Sequence, residues 1–191
     1  MSFRGNDGRK TGLAIIMIGL MLVIIGFGNY FEDKLKATTL TQNNISTFKM
    51  YKVENCIDYG LPSEWINSKI SVANKNIAYC SEFISTDGLV KGNVEVWNNK
   101  DTKDIVKENE QSIEKIGIKQ YKTESKKIGD NNGYLTKYEM KKMNGKNYKK
   151  YDYVFKVGKN NVVARFYIEG KNYKENTPIL LENILETFVS N

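Results

Sequence analysis

Ser112-Ile113-Glu114-Lys115 has the serine–lysine spacing that acyl-transfer enzymes use to arm a nucleophile, and Lys10-Thr11-Gly12 completes a second fragment of that signature. The context argues against the chemistry. No Ser-Asp-Asn motif accompanies them, and Lys10-Thr11-Gly12 is expected at the membrane edge, on the opposite side from Ser112. Ser112 to Lys115 reads better as a solvated helix face. Gly129-Asp130-Asn131-Asn132-Gly133 offers oxygens to a calcium ion, but only Asp130 is charged, where a real site needs six or more oxygen ligands and several carboxylates. A tight loop between strands accounts for it, and no metal or other cofactor is expected. The chain has no histidine at all. That removes the usual general base near neutral pH, the commonest zinc ligand, and every Ser-His or Cys-His device.

Two features remain. Cys56 and Cys80, expected on adjacent strands, either form a disulfide worth roughly 3–4 kcal/mol through loop entropy or stay as buried thiols. The sequence leaves both open. A catalytic thiol is not expected without a histidine to activate it. The most basic stretch is KKMNGKNYKKYDY, where Lys141, Lys142, Lys146, Lys149 and Lys150 surround a turn together with Tyr148 and Tyr151. As a functional patch it would contact an anionic polymer, a lipid headgroup or an acidic protein face. As a plain hairpin it uses lysines to keep a strand edge from aggregating. The chain carries 29 Lys+Arg against 22 Asp+Glu, a net charge of +7, almost all of it lysine. Arginine, the residue for bidentate reading of phosphates and bases, is nearly absent, and no nucleic-acid partner is expected.

The elements that must hold these residues begin with an uncharged run, TGLAIIMIGLMLVIIGFGNYF, at 11–31. As a helix it would be about 31 Å long, the thickness of a hydrocarbon core. The expectation is a signal-anchor: a cytoplasmic tail at 1–10, a single-pass transmembrane helix at 11–31 in contact with lipid, a linker at 32–50, and an extracytoplasmic domain at 51–191 in a bacterial cell envelope. The glycines at 12, 19 and 26 leave a homo-oligomer through that helix open.

In the domain, YKVENCIDYGLPSEW reads as one extended stretch stopped by Pro62. Residues 77–84 and 89–97 flank Ser85-Thr86-Asp87-Gly88 as a hairpin, with Val90, Val94 and Val96 expected to share one face of their strand and Ile77, Tyr79 and Phe83 one face of the partner strand. Asp101 or Thr102 caps a surface helix with an Ile105, Ile113, Ile116 stripe, and Gly117 ends it. Three strands follow, marked by Tyr134, Thr136, Tyr138 and Met140, by Tyr151, Tyr153, Phe155 and Val157, and by Val162, Ala164, Phe166 and Ile168. They are expected to form a meander with a single oily, tyrosine-rich face. Thr177 caps a last helix with Pro178 in its first turn and Leu181, Ile184, Leu185 and Phe188 facing the core. The class is α+β, an antiparallel sheet with helices covering it.

The order of elements resembles the PsbP-like family, with Tyr59-Gly60-Leu61-Pro62-Ser63-Glu64-Trp65 as the opening turn and Asn183-Ile184-Leu185-Glu186-Thr187-Phe188 as the closing helix. The resemblance spans about residues 51–191. It implies an α-β-α sandwich that works as a docking or accessory module, with no catalytic set to carry over. The function expected is therefore a membrane-anchored, non-catalytic binding module whose partner is an envelope protein or an anionic wall polymer. The alternatives are a structural component of an envelope-spanning assembly (secretion, sporulation or pilus-like) and a subunit of an enzyme acting on wall polymers.

Overall fold

The computed structural model describes residues 15–23, 34–35, 38–39, 47–141 and 145–191. The strands are β1 (Phe48–Val53), β2 (Ile57–Pro62), β3 (Ile66–Lys69), β4 (Ile77–Ile84), β5 (Val90–Trp97), β6 (Tyr121–Ile128), β7 (Asn131–Lys141), β8 (Asn147–Val157), β9 (Asn160–Glu169) and β10 (Val189–Ser190). The helices are α1 at 15–23, α2 (Thr102–Lys115) and α3 (Thr177–Leu185).

The expected membrane helix is corrected. Its described part, α1 at 15–23, rises only about 14 Å. Among the described residues no helix is long and apolar enough to cross a membrane. Residues 11–14 and 24–31 of the expected span lie outside the described residues. Apolar composition does not by itself fix helix length, and glycine, such as Gly19 within α1, costs a helix about 1 kcal/mol relative to alanine. The signal-anchor, the single-pass topology and the extracytoplasmic location that depended on that helix fall with it. What stands is a mostly β, α+β fold with two sheets.

Seven antiparallel strands form the main sheet in the order β3-β4-β5-β9-β8-β7-β6. A small sheet, β1-β2-β10, lies apart from it. The stretch expected to be one extended strand is in fact the β1–β2 hairpin, Val53 opposite Ile57. Asn55 turns the corner at φ 57°, a left-handed conformation that asparagine tolerates and most residues do not. β6 was not delineated either, although the loop at 129–133 is read as joining two strands, and the meander has four strands, not three.

Both faces of the main sheet are covered, so its strands alternate between two interiors. On one face Val94, Val96, Tyr153, Phe155, Val162, Ala164 and Phe166 pack with Leu181, Ile184 and Leu185 of α3, Phe188 just beyond it, and Ile57, Tyr59 and Leu61 of β2. On the other, Trp97, Val154 and Val163 pack with Ile105 and Val106 of α2. A single oily face is therefore replaced by two. Tyr134, Thr136 and Tyr138 stand opposite Val154, Asp152 and Lys150 on the α2 side, while Tyr151, Tyr153 and Phe155 point to the α3 side. Ile77 also changes face. The register of β4 on β5 shifts between Ile77 and Tyr79, and the irregularity turns Ile77 toward the α2 cluster while Tyr79 and Phe83 stay on the other side.

Local chemistry sets the helix ends. Asp101 caps α2, its carboxylate accepting from the Thr102 amide at 2.7 Å. Gly117 at φ +82° closes it: the Gly117 amide reaches the Glu114 carbonyl at 2.9 Å and the Ile118 amide reaches Ile113 at 3.2 Å. Ile116, expected in the apolar stripe, is 60% exposed because the helix has already ended. Thr177 is the first residue of α3, not its cap. Its hydroxyl accepts from the Lys174 amide at 3.1 Å, and Asn176 holds the cap position.

Tyr59 ties the two sheets together. Its ring stacks on Phe188 at 5.3 Å, and its hydroxyl meets Tyr79, Ser81 and Asn67 at 2.8–2.9 Å. Thr187 accepts from the Gly60 amide at 2.7 Å, and β10 then pairs with β2.

Candidate binding face

The β-ladder aligns side chains from five strands into rows on the α2 side of the main sheet. One row runs Asn93, Arg165, Asp152, Thr136 and Thr123. The next, one step further along the strands, runs Lys91, Tyr167, Lys150, Tyr138 and Tyr121.

The first row is a buried polar network. Arg165 donates to Glu95 through Nη1 and to Asn109 of α2 through Nη2 at 3.0 Å. Glu95 also accepts from Asn93 at 2.9 Å and from the Trp97 indole at 2.8 Å. The Arg165 guanidinium lies 4.0 Å from Asp152, whose Oδ2 accepts from the Tyr138 hydroxyl at 3.3 Å. The other Asp152 oxygen has no hydrogen-bond partner among the described residues. Burial pushes the Asp152 carboxyl above the usual range, and Arg165 and Lys150 only partly counter it. Burial also pulls on Arg165, but the Glu95 and Asp152 carboxylates more than offset this and hold its charge firmly. Tyr138 and Tyr167 are raised, chiefly by burial, and stay protonated donors. Glu95 is held by Arg165, Asn93 and Trp97, Asn109 Nδ2 meets no partner among the described residues, and without a nucleophile this network fixes the sheet beneath the second row and does no evident chemistry.

The second row is an alternation of ammonium groups and phenol rings. Lys150 Nζ lies 4.1 Å from the Tyr167 ring centroid and 5.3 Å from that of Tyr138, a cation–π sandwich across three strands. Tyr121 at the end of the row donates to Glu114 of α2 at 2.8 Å. Where β6 begins, an open hollow of about 1010 Å³ lies against β7 and β8. Lys119, Lys122, Lys137, Lys149 and Lys150 line it with Glu139 as the lone acid, alongside Tyr121, Tyr138 and Tyr151.

The basic hairpin expected from sequence is split by strand alternation. Lys150 and Tyr148 fall on the α2 side; Lys141, Lys149 and Tyr151 fall on the α3 side. Lys149 Nζ sits 3.9 Å above the Tyr173 ring, which Tyr151 stacks against and hydrogen-bonds at 3.1 Å. Lys146 pairs with Glu169 at 3.1 Å, Lys141 is exposed, and Lys142 lies outside the described residues. Lys149, Lys150 and Tyr151 reach the hollow together; Lys141, Lys146 and Tyr148 are not among its lining residues.

Cys56 and Cys80 are free thiols and are not on neighbouring strands. Cys56 sits in the β1–β2 turn of the small sheet and Cys80 on β4 of the main one. Burial, with Glu95 adding to it, pushes the Cys80 thiol up to about 11, which keeps it unreactive. Among the described residues no group of three or more acids or thiols is placed to hold a metal ion. Ser112 donates back to the Glu108 carbonyl at 2.8 Å, a helix-surface bond and not an activated nucleophile.

Sequence reasoning missed Lys119, Lys122, Lys137, Tyr121, Tyr138 and Tyr167 as a group, because register across four strands is needed to bring them together. One signal for the network was present. Arg165 is the only arginine after residue 9, in a chain that elsewhere uses lysine.

No known protein-family profile matches the chain, and no curated protein is similar to it in sequence. Three solved structures share its course. A crystal structure from Bacteroides thetaiotaomicron superposes with a TM-score of 0.49 at 13% identity over 71% of this chain, which spans under half (45%) of that protein. A protein of unknown function from Pseudomonas aeruginosa gives 0.41 at 10% identity, over 74% of this chain and 96% of that one. The solution structure of cyanobacterial PsbP (CyanoP) from Synechocystis sp. PCC 6803 gives 0.54 at 10% identity, over 77% of this chain and 94% of that one. The likeness is one of architecture, and the fold of this chain is PsbP-like.

Proposed function

We propose that the chain is a non-catalytic binding module that docks an anionic partner in the hollow at the start of β6. The observation that carries this reading is the lining itself: five lysines against one glutamate, with tyrosine rings among them. Several of these charges are held in place. Lys137 pairs with Glu124 at 2.7 Å, Lys150 lies between two rings, and Lys149 sits over Tyr173. An ammonium group already oriented loses less side-chain freedom when an anion arrives. Lys119 is exposed and adds to the field over the opening. The absence of histidine and a PsbP-like fold, which generally serves without catalysis, both favour binding over turnover.

The test is the double substitution Lys119→Glu and Lys149→Glu in the full chain. Binding of polyglutamate and of polyphosphate, each followed by titration calorimetry at two salt concentrations, is expected to weaken roughly 10–100-fold while the thermal transition stays in place. Unchanged affinity for both probes would reject the hollow as the docking site.

A further inference from the structure

The main sheet ends in two strands, β3 and β6, that differ in length and charge. β3 has four residues and one lysine, Lys69. β6 has eight, and among the described residues its one ladder partner is β7, so its outer side is bonded to no described strand. An unpaired strand edge presents a row of amide and carbonyl groups that another extended chain can complete.

The charges on β6 select among such chains. Lys122 and Lys126 project to one face, with Glu124 between them paired to Lys122 and Lys137 at 2.7 Å each; Lys127 projects to the other face, and Lys119 lies just ahead of the strand. A second copy of β6 paired symmetrically about Glu124 would set Lys122 against Lys126 and Glu124 against Glu124, like charges at each position, which is unfavourable. A strand carrying acids would meet a lysine on either face. Lys126 already holds a carboxylate this way, bonding Glu182 of α3 at 2.6 Å. The hollow opens at the β6 N-terminal end, so acids beyond the paired segment would run directly into it.

We infer that the partner is an extended acidic polypeptide segment that adds to the free edge of β6 as an extra strand, its flanking acids entering the hollow. The inference rests on the docking reading above and narrows its partner to a protein. A phosphate polymer satisfies the lysines but has no main chain to complete the edge.

The experiment uses the full chain with two probes, a peptide of alternating glutamate and valine and inorganic polyphosphate. Amide hydrogen exchange is followed along Tyr121–Ile128, with β3 as the internal control. The peptide is expected to slow exchange about tenfold or more at alternate amides of β6, those that β7 leaves unpaired, with β3 unchanged. Reversing Lys122 and Lys127 to Glu, both exposed positions, is expected to abolish this protection. The same variant should gain protection from a lysine–valine peptide, which also shows that it is folded. Peptide binding without protection of β6 overturns this inference and leaves the docking reading intact. Binding of polyphosphate alone does the same. Failure of both probes to bind overturns the two together.

Discussion

Arg165 and Phe166 are neighbours in β9 and point to opposite interiors. Phe166 enters a face built from aromatic rings, 5.4 Å from Phe83 and 6.0 Å from Tyr153, with no accessible surface. Arg165 enters a face of comparable burial where carboxylates, amides and an indole surround it. The aromatic face is insensitive to small errors of direction, since dispersion and hydrophobic burial carry little angular preference. The polar face works only when each donor meets its acceptor, and it therefore fixes the register of β5, β8 and β9 under α2. One face supplies stability and the other alignment. The lysine–tyrosine row sits on the aligned one.

The largest test of that contrast removes one side chain from each face. Phe166→Ala and Arg165→Ala are each expected to cost about 3–5 kcal/mol in denaturant unfolding, the first through a cavity and the second by leaving the Glu95 and Asp152 carboxylates buried without their cation. The two are told apart by pH. The Arg165→Ala deficit should shrink at low pH, where the Asp152 carboxyl, raised by burial, takes up its proton, and the Phe166→Ala deficit should not. Equal pH profiles would remove the distinction between the faces.

A smaller effect is expected at Asp152, whose carboxyl is raised by burial. A raised acid binds its proton more tightly folded than unfolded. Its contribution is therefore present at low pH and is lost as pH climbs from the unfolded value, about 3.8, through the higher folded one. Asp152→Asn can still accept from Tyr138 and carries no charge to desolvate. It should gain about 1 kcal/mol at pH 7 and flatten that part of the stability–pH curve. A loss at pH 7 would mean that Arg165 needs both carboxylates.

The smallest concerns the helix that covers the polar face. Gly117 at φ +82° has open space around it, so alanine there meets strain without a clash. A loss of about 1 kcal/mol in thermal unfolding is expected, with the Tyr121–Glu114 contact loosened.

Much of the domain was legible because its signals are local. The β4–β5 hairpin, α2 with its Asp101 cap and Gly117 stop, the β7–β8–β9 meander and the α3 stripe each follow from short patterns. What escaped depended on partners far away in sequence. β6 reads YKTESKKI, too polar to announce itself, and is a strand because β7 pairs with it along its whole length. The two-faced sheet was hidden because Tyr138 and Tyr151 look alike in sequence and only register sends them to opposite sides. In the site, the lysines of the hairpin were visible and their separation onto two faces was not. The N-terminal run misled for the reverse reason: a strong composition signal was read as a full span, and among the described residues its helix is 15–23.

The core strand β2 draws its last contacts from the far end of the chain. Gly60 is bonded to Thr187, 127 positions later, and β10 closes the small sheet after that. At a synthesis rate of about 5–20 residues per second, Ile57, Tyr59 and Leu61 wait roughly 6–25 s after emerging from the ribosome before their cover exists. Nascent chains stalled before Thr187 should therefore hold an oily, half-built hairpin that calls on chaperones, and release of the final helix and strand should be the step that ends the call.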